Sequence, residues 1–284
     1  MDGIEHVYIE TNGVTLHVVQ KGPKDGKLII LLHGFPEFWY GWHKQIDYLA
    51  NQGFRVWAPD QRGYNLSDKP EKVSDYDIRH FTKDIAGLIK ASGREKATIV
   101  GHDWGGIISW RMAREYSHLL DRVVILNAPH EKAMSTHLMK HPTQLIRSSY
   151  AVFFQLRGLP EKLISLSDWK VGTTMLKSSS LPHAFSEEDL KLYRQAWSKP
   201  QAMKSMINWY RGNVKSMTRP DLPAEVTLPT LLIWGAQDQF LGKELAEKSS
   251  QFIEKGRLVF LENATHWVHL EEADRVNALI AEFI

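Results

Sequence analysis

The residue with the most specific chemistry in this sequence is Asp103, which lies within Gly101-His102-Asp103-Trp104-Gly105-Gly106. A largely β-branched run, 97–100, precedes this segment and an apolar-periodic stretch, 107–114, follows it, which predicts a strand-to-helix turn. The flanking glycines permit a sharp turn that pushes the central side chain out of the sheet, where the related G-x-S-x-G arrangement has its nucleophile. An aspartate that attacks carbon forms an alkyl ester, so its natural electrophiles are epoxides and alkyl halides, whereas a serine would be acylated by carboxylic esters.

The elements that would hold this turn alternate along the chain. Short apolar runs, typical of strands buried on both faces, occur at 27–32, 54–58, 97–100, 122–126, 230–234 and 258–261. Helical patterns occur at 40–51, 77–91, 104–116, 243–254 and 271–283. Near the start, 6–10 and 14–20 have the pattern of a hairpin around Asn12-Gly13. The order predicts an α/β fold with a mostly parallel, eight-stranded sheet and helices on both faces.

One segment, from about His130 to Met217, breaks the alternation, because it has helical periodicity but no convincing strand. Its predicted helices are 142–155, 160–164, 186–196 and 201–210, with an N-cap at Ser186. We therefore divide the chain into a first core part, 1–130, a helical lid, 131–217, and a second core part, 218–284. A lid inserted over the carboxyl ends of the strands would cover the site.

Composition limits the partners of the chain. Its 284 residues, 43% hydrophobic and 24% charged, suffice for a large core. Its 35 basic and 33 acidic residues are scattered, which favours a small molecule over nucleic acid or an anionic membrane. The lack of cysteine excludes disulfides and thiolate metal sites. The start lacks a signal-peptide pattern and no run approaches roughly 18 apolar residues, so we expect a soluble, cytoplasmic protein.

The strand order, the loop His33-Gly34-Phe35-Pro36, the turn at Asp103 and the helical insertion together resemble the epoxide hydrolases of the α/β-hydrolase fold, the soluble epoxide hydrolase-like family. The resemblance covers essentially the whole chain. It implies that Phe35 and Trp104 supply the two backbone N–H groups of an oxyanion hole, and that the Phe35-Pro36 bond is cis. Taken alone, His33-Gly34 fits a tight turn with a structural hydrogen bond equally well.

The resemblance also implies a base and an acid. His266 follows the eighth strand, where the family has its base, whereas we expect His269 on the approach to the final helix, facing solvent or a cap. Asp238, at the end of the seventh strand, has the position of the acid that orients the histidine. Some related families place this acid after the sixth strand, but Asn127 in that region carries no charge. Taken alone, each of the 13 histidines is more often structural, and Asp238 is more often a turn or cap residue.

Two lid tyrosines match the proton donors of the family. Tyr150 lies in Ser149-Tyr150-Ala151-Val152 and Tyr210 in Asn208-Trp209-Tyr210-Arg211, and the resemblance implies that their hydroxyls protonate the epoxide oxygen. An alkoxide needs a proton to leave, whereas a halide does not. A single tyrosine on an amphipathic helix more often belongs to the core. The aromatic residues expected to line or support an apolar pocket, although such residues are more often core, are Trp39, Trp42, Phe153, Phe154 and Trp209.

Three alternatives stay open. Haloalkane dehalogenases share the aspartate and the tryptophan after it, whose indole N–H could hold a halide, but they have asparagine at the position of Phe35 and need no paired tyrosines. Haloacetate dehalogenases have arginines at the positions of Trp104 and Ile107. A catalytically silent ligand receptor on the same fold would tolerate loss of the triad.

The expected activity is therefore hydrolysis of epoxides to vicinal diols. Asp103 would form the ester, His266 and Asp238 would activate water, and Tyr150 and Tyr210 would donate protons. Because Asp103, His266 and water complete the cycle, no metal or organic cofactor is implied. The expected partners are a small epoxide and water, without nucleic acid or membrane, and the chain is expected to be a monomer or homodimer.

Overall fold

The structure, a computed structural model, describes residues 3–140, 144, 147–214 and 222–284. The strands are β1 (Glu5–Thr11), β2 (Val14–Lys21), β3 (Leu28–Leu32), β4 (Arg55–Pro59), β5 (Ala97–His102), β6 (Leu120–Leu126), β7 (Thr230–Gly235) and β8 (Gly256–Leu261). They form one sheet in the order β1-β2-β4-β3-β5-β6-β7-β8. β2 pairs antiparallel with β1 and β4, and the remaining pairs are parallel. The predicted sheet is confirmed, and the predicted strands end within two residues of the observed ones.

The α-helices are α1 (His43–Asn51), α2 (Ile78–Ala91), α3 (Trp104–Glu115), α4 (Glu131–Lys140), α5 (Ser149–Phe153), α6 (Leu159–Ile164), α7 (Leu166–Ser178), α8 (Glu187–Trp197), α9 (Ala202–Asn213), α10 (Lys243–Ser250), α11 (Val268–Glu271) and α12 (Ala273–Phe283). None of the helices in these described ranges combines the length and apolar composition that crossing a bilayer requires.

The two faces of the sheet have separate cores. Ile30 and Leu32 of β3 pack in one core with residues of α2 and α3, whereas Ile29 and Leu31 pack in the other with residues of α1 and α12. Alternate residues of a strand point to opposite faces, so this division follows from the pleat. Every residue of β3 is buried, which explains its continuous apolar run.

Between β6 and β7 the described residues form helices and no strand. The helices predicted at 160–164, 186–196 and 201–210 are confirmed as α6, α8 and α9. Ser186 and Asp189 form the capping box of α8. The prediction over 142–155 is confirmed only in part, by α5, because 141–143, 145 and 146 lie outside the described residues.

Two helices of this segment, α4 and α7, were absent from the prediction. The sequence of α7, Leu-Ser-Asp-Trp-Lys-Val-Gly-Thr-Thr-Met-Leu-Lys-Ser, contains glycine and adjacent threonines, which have low helix propensity. Its start is also irregular, because Ser167, Asp168 and Trp169 have left-handed backbone angles. Local sequence therefore gives only a weak indication of α7.

Candidate active site

Asp103 occupies the turn between β5 and α3, as predicted. Its backbone angles, φ 51° and ψ −119°, are strained for a residue other than glycine. The turn packs against the loop after β3 so closely that a Cβ at Gly34 would lie 2.4 Å from the Asp103 Cβ. A Cβ at Gly105 would lie 2.0 Å from the Leu32 carbonyl oxygen. These glycines let two strand ends approach, and the turn holds the carboxylate above the sheet.

The loop after β3 contributes a hydrogen bond to this carboxylate. The Phe35 backbone N–H donates to Asp103 Oδ1 at 2.8 Å, and the Phe35-Pro36 bond is cis, as the resemblance implied. Trp104 is the first residue of α3, where backbone N–H groups have no intrahelical partner. Phe35 and Trp104, the two residues predicted to form an oxyanion hole, thus both lie next to Asp103.

His266 follows β8 and lies between two carboxylates. Its Nδ1 is 2.8 Å from Asp238 Oδ2, and its Nε2 is 3.7 Å from Asp103 Oδ2. Burial favours the neutral imidazole, but the charge and hydrogen bond of Asp238 and the charge of Asp103 outweigh it and raise the pKa of His266 to about 9. At neutral pH the imidazolium therefore lies between two anions.

Asn127 holds Asp238 in place. The Asn127 side-chain amide donates to Asp238 Oδ2 at 2.7 Å and accepts from the Gly235 N–H at 3.0 Å. The backbone N–H groups of Phe240 and Leu241 donate to the other carboxylate oxygen at 2.7 and 3.0 Å. Burial raises the pKa of Asp238, but His266 and these donors lower it by more than burial raises it. The pKa therefore lies below its usual value and the carboxylate stays ionised. Asn127 therefore positions the acid through its hydrogen bonds. The sequence alone indicated only that Asn127 carries no charge, so this role was missed.

Glu37 is a further buried carboxylate close to this site. Its two oxygens lie 2.9 Å from His102 Nδ1 and 3.0 Å from His269 Nε2, and the Tyr193 hydroxyl donates to it at 3.2 Å. His102 Nε2 in turn lies 2.9 Å from the His266 carbonyl oxygen. The cluster therefore links the nucleophile turn, the loop of the base and helix α8.

The prediction that His269 faces solvent or a cap is wrong. His269 is completely buried, because the Glu37 carboxylate supplies a partner for its ring. Burial is also the main reason that the pKa of His269 is lowered, to about 4, so this ring is neutral. The ligand atoms of Glu37, His102 and His269 lie within 4.8 Å of one another, a spacing that suits a metal ion. Hydrogen bonds within the cluster already engage both Glu37 oxygens, His102 Nδ1 and His269 Nε2.

Tyr150 of α5 and Tyr210 of α9 line the same cavity as Asp103. Their ring centroids are 5.9 Å apart, and the Tyr210 ring packs edge-on against Phe35. Burial and the charge of Asp103 raise the pKa of both phenols far above neutrality. Both hydroxyls are consequently protonated and can donate.

The cavity between these groups has a volume of about 100 Å³. Its polar lining residues are Asp103, His266, Ser179 and the two tyrosines. Its main apolar lining residues are Phe35, Pro36, Phe154, Ile164, Met175, Leu176, Trp197, Phe240 and Trp267. The site therefore suits an apolar molecule with one polar, reactive group.

Of the aromatic residues proposed as pocket lining, Phe154 contacts this cavity but Trp39, Phe153 and Trp209 do not. Trp209 lies behind the wall, where its indole N–H donates to the Arg62 carbonyl oxygen. Phe153 precedes Phe154 in the sequence, and neighbouring side chains on a helical turn point in different directions.

Trp39 is likewise distant from the cavity, since it packs against His6 of β1. Trp42 is buried against His269. Sequence reasoning missed Met175 because it lies in the unpredicted helix α7, and missed Trp197 in α8. Trp267 had a usable signal, because it directly follows His266.

The chain is similar to known proteins over essentially its whole length. Residues 27–273 match the alpha/beta hydrolase fold family. The chain is 42% identical to AB hydrolase superfamily protein YfhM of Bacillus subtilis, covering 100% of this chain and 99% of the relative. It is 36% identical to epoxide hydrolase 4 of Mus musculus, covering 98% of this chain and 79% of the relative. The crystal structure of Bacillus megaterium epoxide hydrolase with an inhibitor is similar at a TM-score of 0.87 and 29% identity, over 98% of this chain and 99% of the other.

Proposed function

Because the chain belongs to the epoxide hydrolases of the alpha/beta hydrolase fold, we propose that it converts epoxides to vicinal diols through a covalent ester on Asp103. The observation that carries the proposal is the pair of protonated phenols, Tyr150 and Tyr210, at the same cavity as the Asp103 carboxylate. A carboxylate can open an epoxide by attack on carbon, and the departing oxygen then needs a proton.

In the first step, an Asp103 oxygen forms a bond to a ring carbon and the carbon–oxygen bond of the epoxide breaks. The oxygen takes a proton from Tyr150 or Tyr210. Asp103 Oδ2 is the oxygen free for attack, because Oδ1 already accepts from the Phe35 N–H. Ester formation removes the charge of Asp103, so the pKa of His266 falls and the imidazolium can release a proton to restore the tyrosine.

In the second step, neutral His266 takes a proton from water as the water attacks the ester carbonyl carbon. The backbone N–H groups of Phe35 and Trp104 would stabilise the negative oxygen that develops there. The ester carbon–oxygen bond then breaks and the diol leaves with the proton from His266. The Asp103 carboxyl group, which keeps the other proton of the water, passes it to His266, and this restores the carboxylate and the imidazolium. Asp238 would orient the ring and stabilise the imidazolium.

The lid belongs to the same proposal. Residues 131–217 would form it, and they include the helices α5 and α9 that carry the two tyrosines. The core parts, 1–130 and 218–284, would supply the nucleophile, the base and the acid. Substrate would then be bound between lid and core, away from water.

The direct test is product formation. Styrene oxide should yield phenylethane-1,2-diol, whereas 1-bromobutane should release little bromide. Release of halide faster than formation of diol would favour a haloalkane dehalogenase and overturn the proposal. No turnover of either compound would favour the silent receptor.

We expect the rate of ester hydrolysis to rise with pH. The base, His266, must be neutral to take a proton from water. The ester has no charge at Asp103, so the pKa of His266 in the ester lies below the value of about 9 in the free protein. The rate should therefore increase through that lower pKa and become constant above it. Decay of the ester in single-turnover experiments from about pH 5 to about pH 10 measures this dependence. A rate that does not change with pH would rule out His266 as the base.

Replacement of Asp238 by asparagine should slow hydrolysis of the ester about 10² to 10⁴-fold. The substitution keeps the shape but removes the charge that supports the imidazolium, and the new amide can impose the wrong tautomer on His266. Ester formation requires no base, so it should slow less and the ester should accumulate. Rapid-quench measurement of both steps tests this, and a fully active variant would show that the acid is assigned wrongly.

A further inference from the structure

A second cavity, of about 90 Å³, adjoins the reacting groups from the side of α3 and α4. Asp103, Tyr150 and Tyr210 line both cavities, so the two meet where an epoxide ring would lie. Two substituents on neighbouring ring carbons would then point into different cavities. Away from the reacting centre, the second cavity is lined by a carboxylate, Glu131, and by Ser148, whereas the first cavity has only the hydroxyl of Ser179 there among the described residues.

Among the described residues, only one of the two Glu131 carboxylate oxygens has a hydrogen-bond partner. Its Oε2 accepts a hydrogen bond from Arg114 at 2.9 Å, and both side chains are largely buried. The Arg114 Nε–H donates to the Trp110 carbonyl oxygen at 3.0 Å, which fixes the guanidinium. Among the described residues, no donor contacts Glu131 Oε1. This carboxylate is therefore a positioned acceptor in the cavity wall.

The charge of the pair determines which donor suits it. Arg114 balances the charge of Glu131, so a cationic substituent would meet a nearly neutral site and lose its hydration. A neutral hydroxyl can donate to Oε1 at a much smaller desolvation cost. The other lining residues of this cavity are mainly apolar, including Ile107, Pro129, Met134 and Leu241. They suit the short carbon stem that would carry such a hydroxyl.

We infer that the second cavity binds a short substituent ending in a hydroxyl group, which donates to Glu131, so that the preferred substrate is an epoxy alcohol. Such a substrate has an apolar group on one ring carbon and a hydroxymethyl group on the other. The inference rests on the proposed function and adds the substrate class. A matched substrate with methyl in place of hydroxyl would leave the acceptor unpaired against an apolar group, which a binding site penalises strongly.

The test compares trans-3-phenylglycidol with trans-1-phenyl-1,2-epoxybutane, which differ by hydroxyl against methyl. We expect kcat/KM for the glycidol to exceed that for the alkyl epoxide by about 10- to 100-fold, the range for a hydrogen bond to a charged group. In Glu131→Gln this ratio should fall about tenfold, because the acceptor loses its charge. Both substrates are measured on one sample, so any loss of folded protein cancels from the ratio.

Glu115→Gln is the matched control, since Glu115 also binds an arginine of α3, Arg111, at 3.0 Å but lies outside the cavity. This control should retain the parent ratio. A parent ratio near one, or a ratio that Glu131→Gln leaves unchanged, would overturn the inference while diol formation upheld the proposed function. No turnover of either epoxide or of styrene oxide would instead refute the proposed function, and the inference with it.

Discussion

Replacement of Asp103 by alanine should reduce diol formation about 10⁴-fold or more, in the range seen when a triad loses its nucleophile. The carboxylate supplies the bond to carbon, and no second carboxylate among the described residues lines the first cavity. Diol formation from styrene oxide measures the effect. Thermal unfolding of the variant provides the control for folding. Activity within tenfold of the parent would exclude Asp103 as the nucleophile.

His266→Gln should lose turnover to a similar extent as Asp103→Ala, but for a different reason. Asp103 can still form the ester, but no base activates water, so the intermediate should persist. Intact mass should increase by the mass of one epoxide, and peptide mapping should locate the increase at Asp103. His118→Gln, at an exposed histidine, should turn over normally without such an increase. A His266→Gln sample without adduct would contradict the assigned order of steps.

The second large effect concerns the two tyrosines. General acid assistance contributes about 10² to 10⁴-fold, and two donors share one oxygen, so Tyr150→Phe or Tyr210→Phe alone should slow ester formation and weaken binding but leave some activity. The double variant should form diol at close to the background rate. Loss of a hydroxyl changes volume little, so we expect the fold to persist.

Stopped-flow tryptophan fluorescence measures this effect, because Trp197 and Trp267 line the cavity and report ester formation. Tyr8→Phe, at an exposed residue of β1, is the control and should react like the parent. A double variant that opens epoxides at the parent rate would remove the reason to prefer epoxide opening to dehalogenation.

The core of the fold could be predicted because its signals are local. Continuous apolar runs mark strands such as β3, and the strand-to-helix turn at Asp103 is marked by its glycines. The carboxyl ends of parallel strands meet at one edge of a sheet, but the choice of Asp238 and His266 after β7 and β8 came from the family resemblance. Asp103, Asp238 and His266 do lie together there.

The pocket wall was predicted less well, because its residues depend on how the lid helices pack. The residue type does not distinguish Trp39 and Trp209 from Trp197, and only tertiary packing determines which of them contacts the cavity. The helix that carries Met175 has a weak local signal. The role of Glu37 was not predicted and the prediction for His269 was wrong, because both depend on mutual burial, which a single sequence does not reveal.

The covalent ester on Asp103 is the central claim, and one single-turnover reaction in ¹⁸O-labelled water tests it most directly. With protein in excess over epoxide, the oxygen that enters the diol comes from Asp103, and the oxygen of water enters the carboxylate. We predict an unlabelled diol and a label at Asp103, located by mass spectrometry of the peptide. Label in the diol of this first turnover, with none at Asp103, would show that water attacks the epoxide directly and would contradict the account.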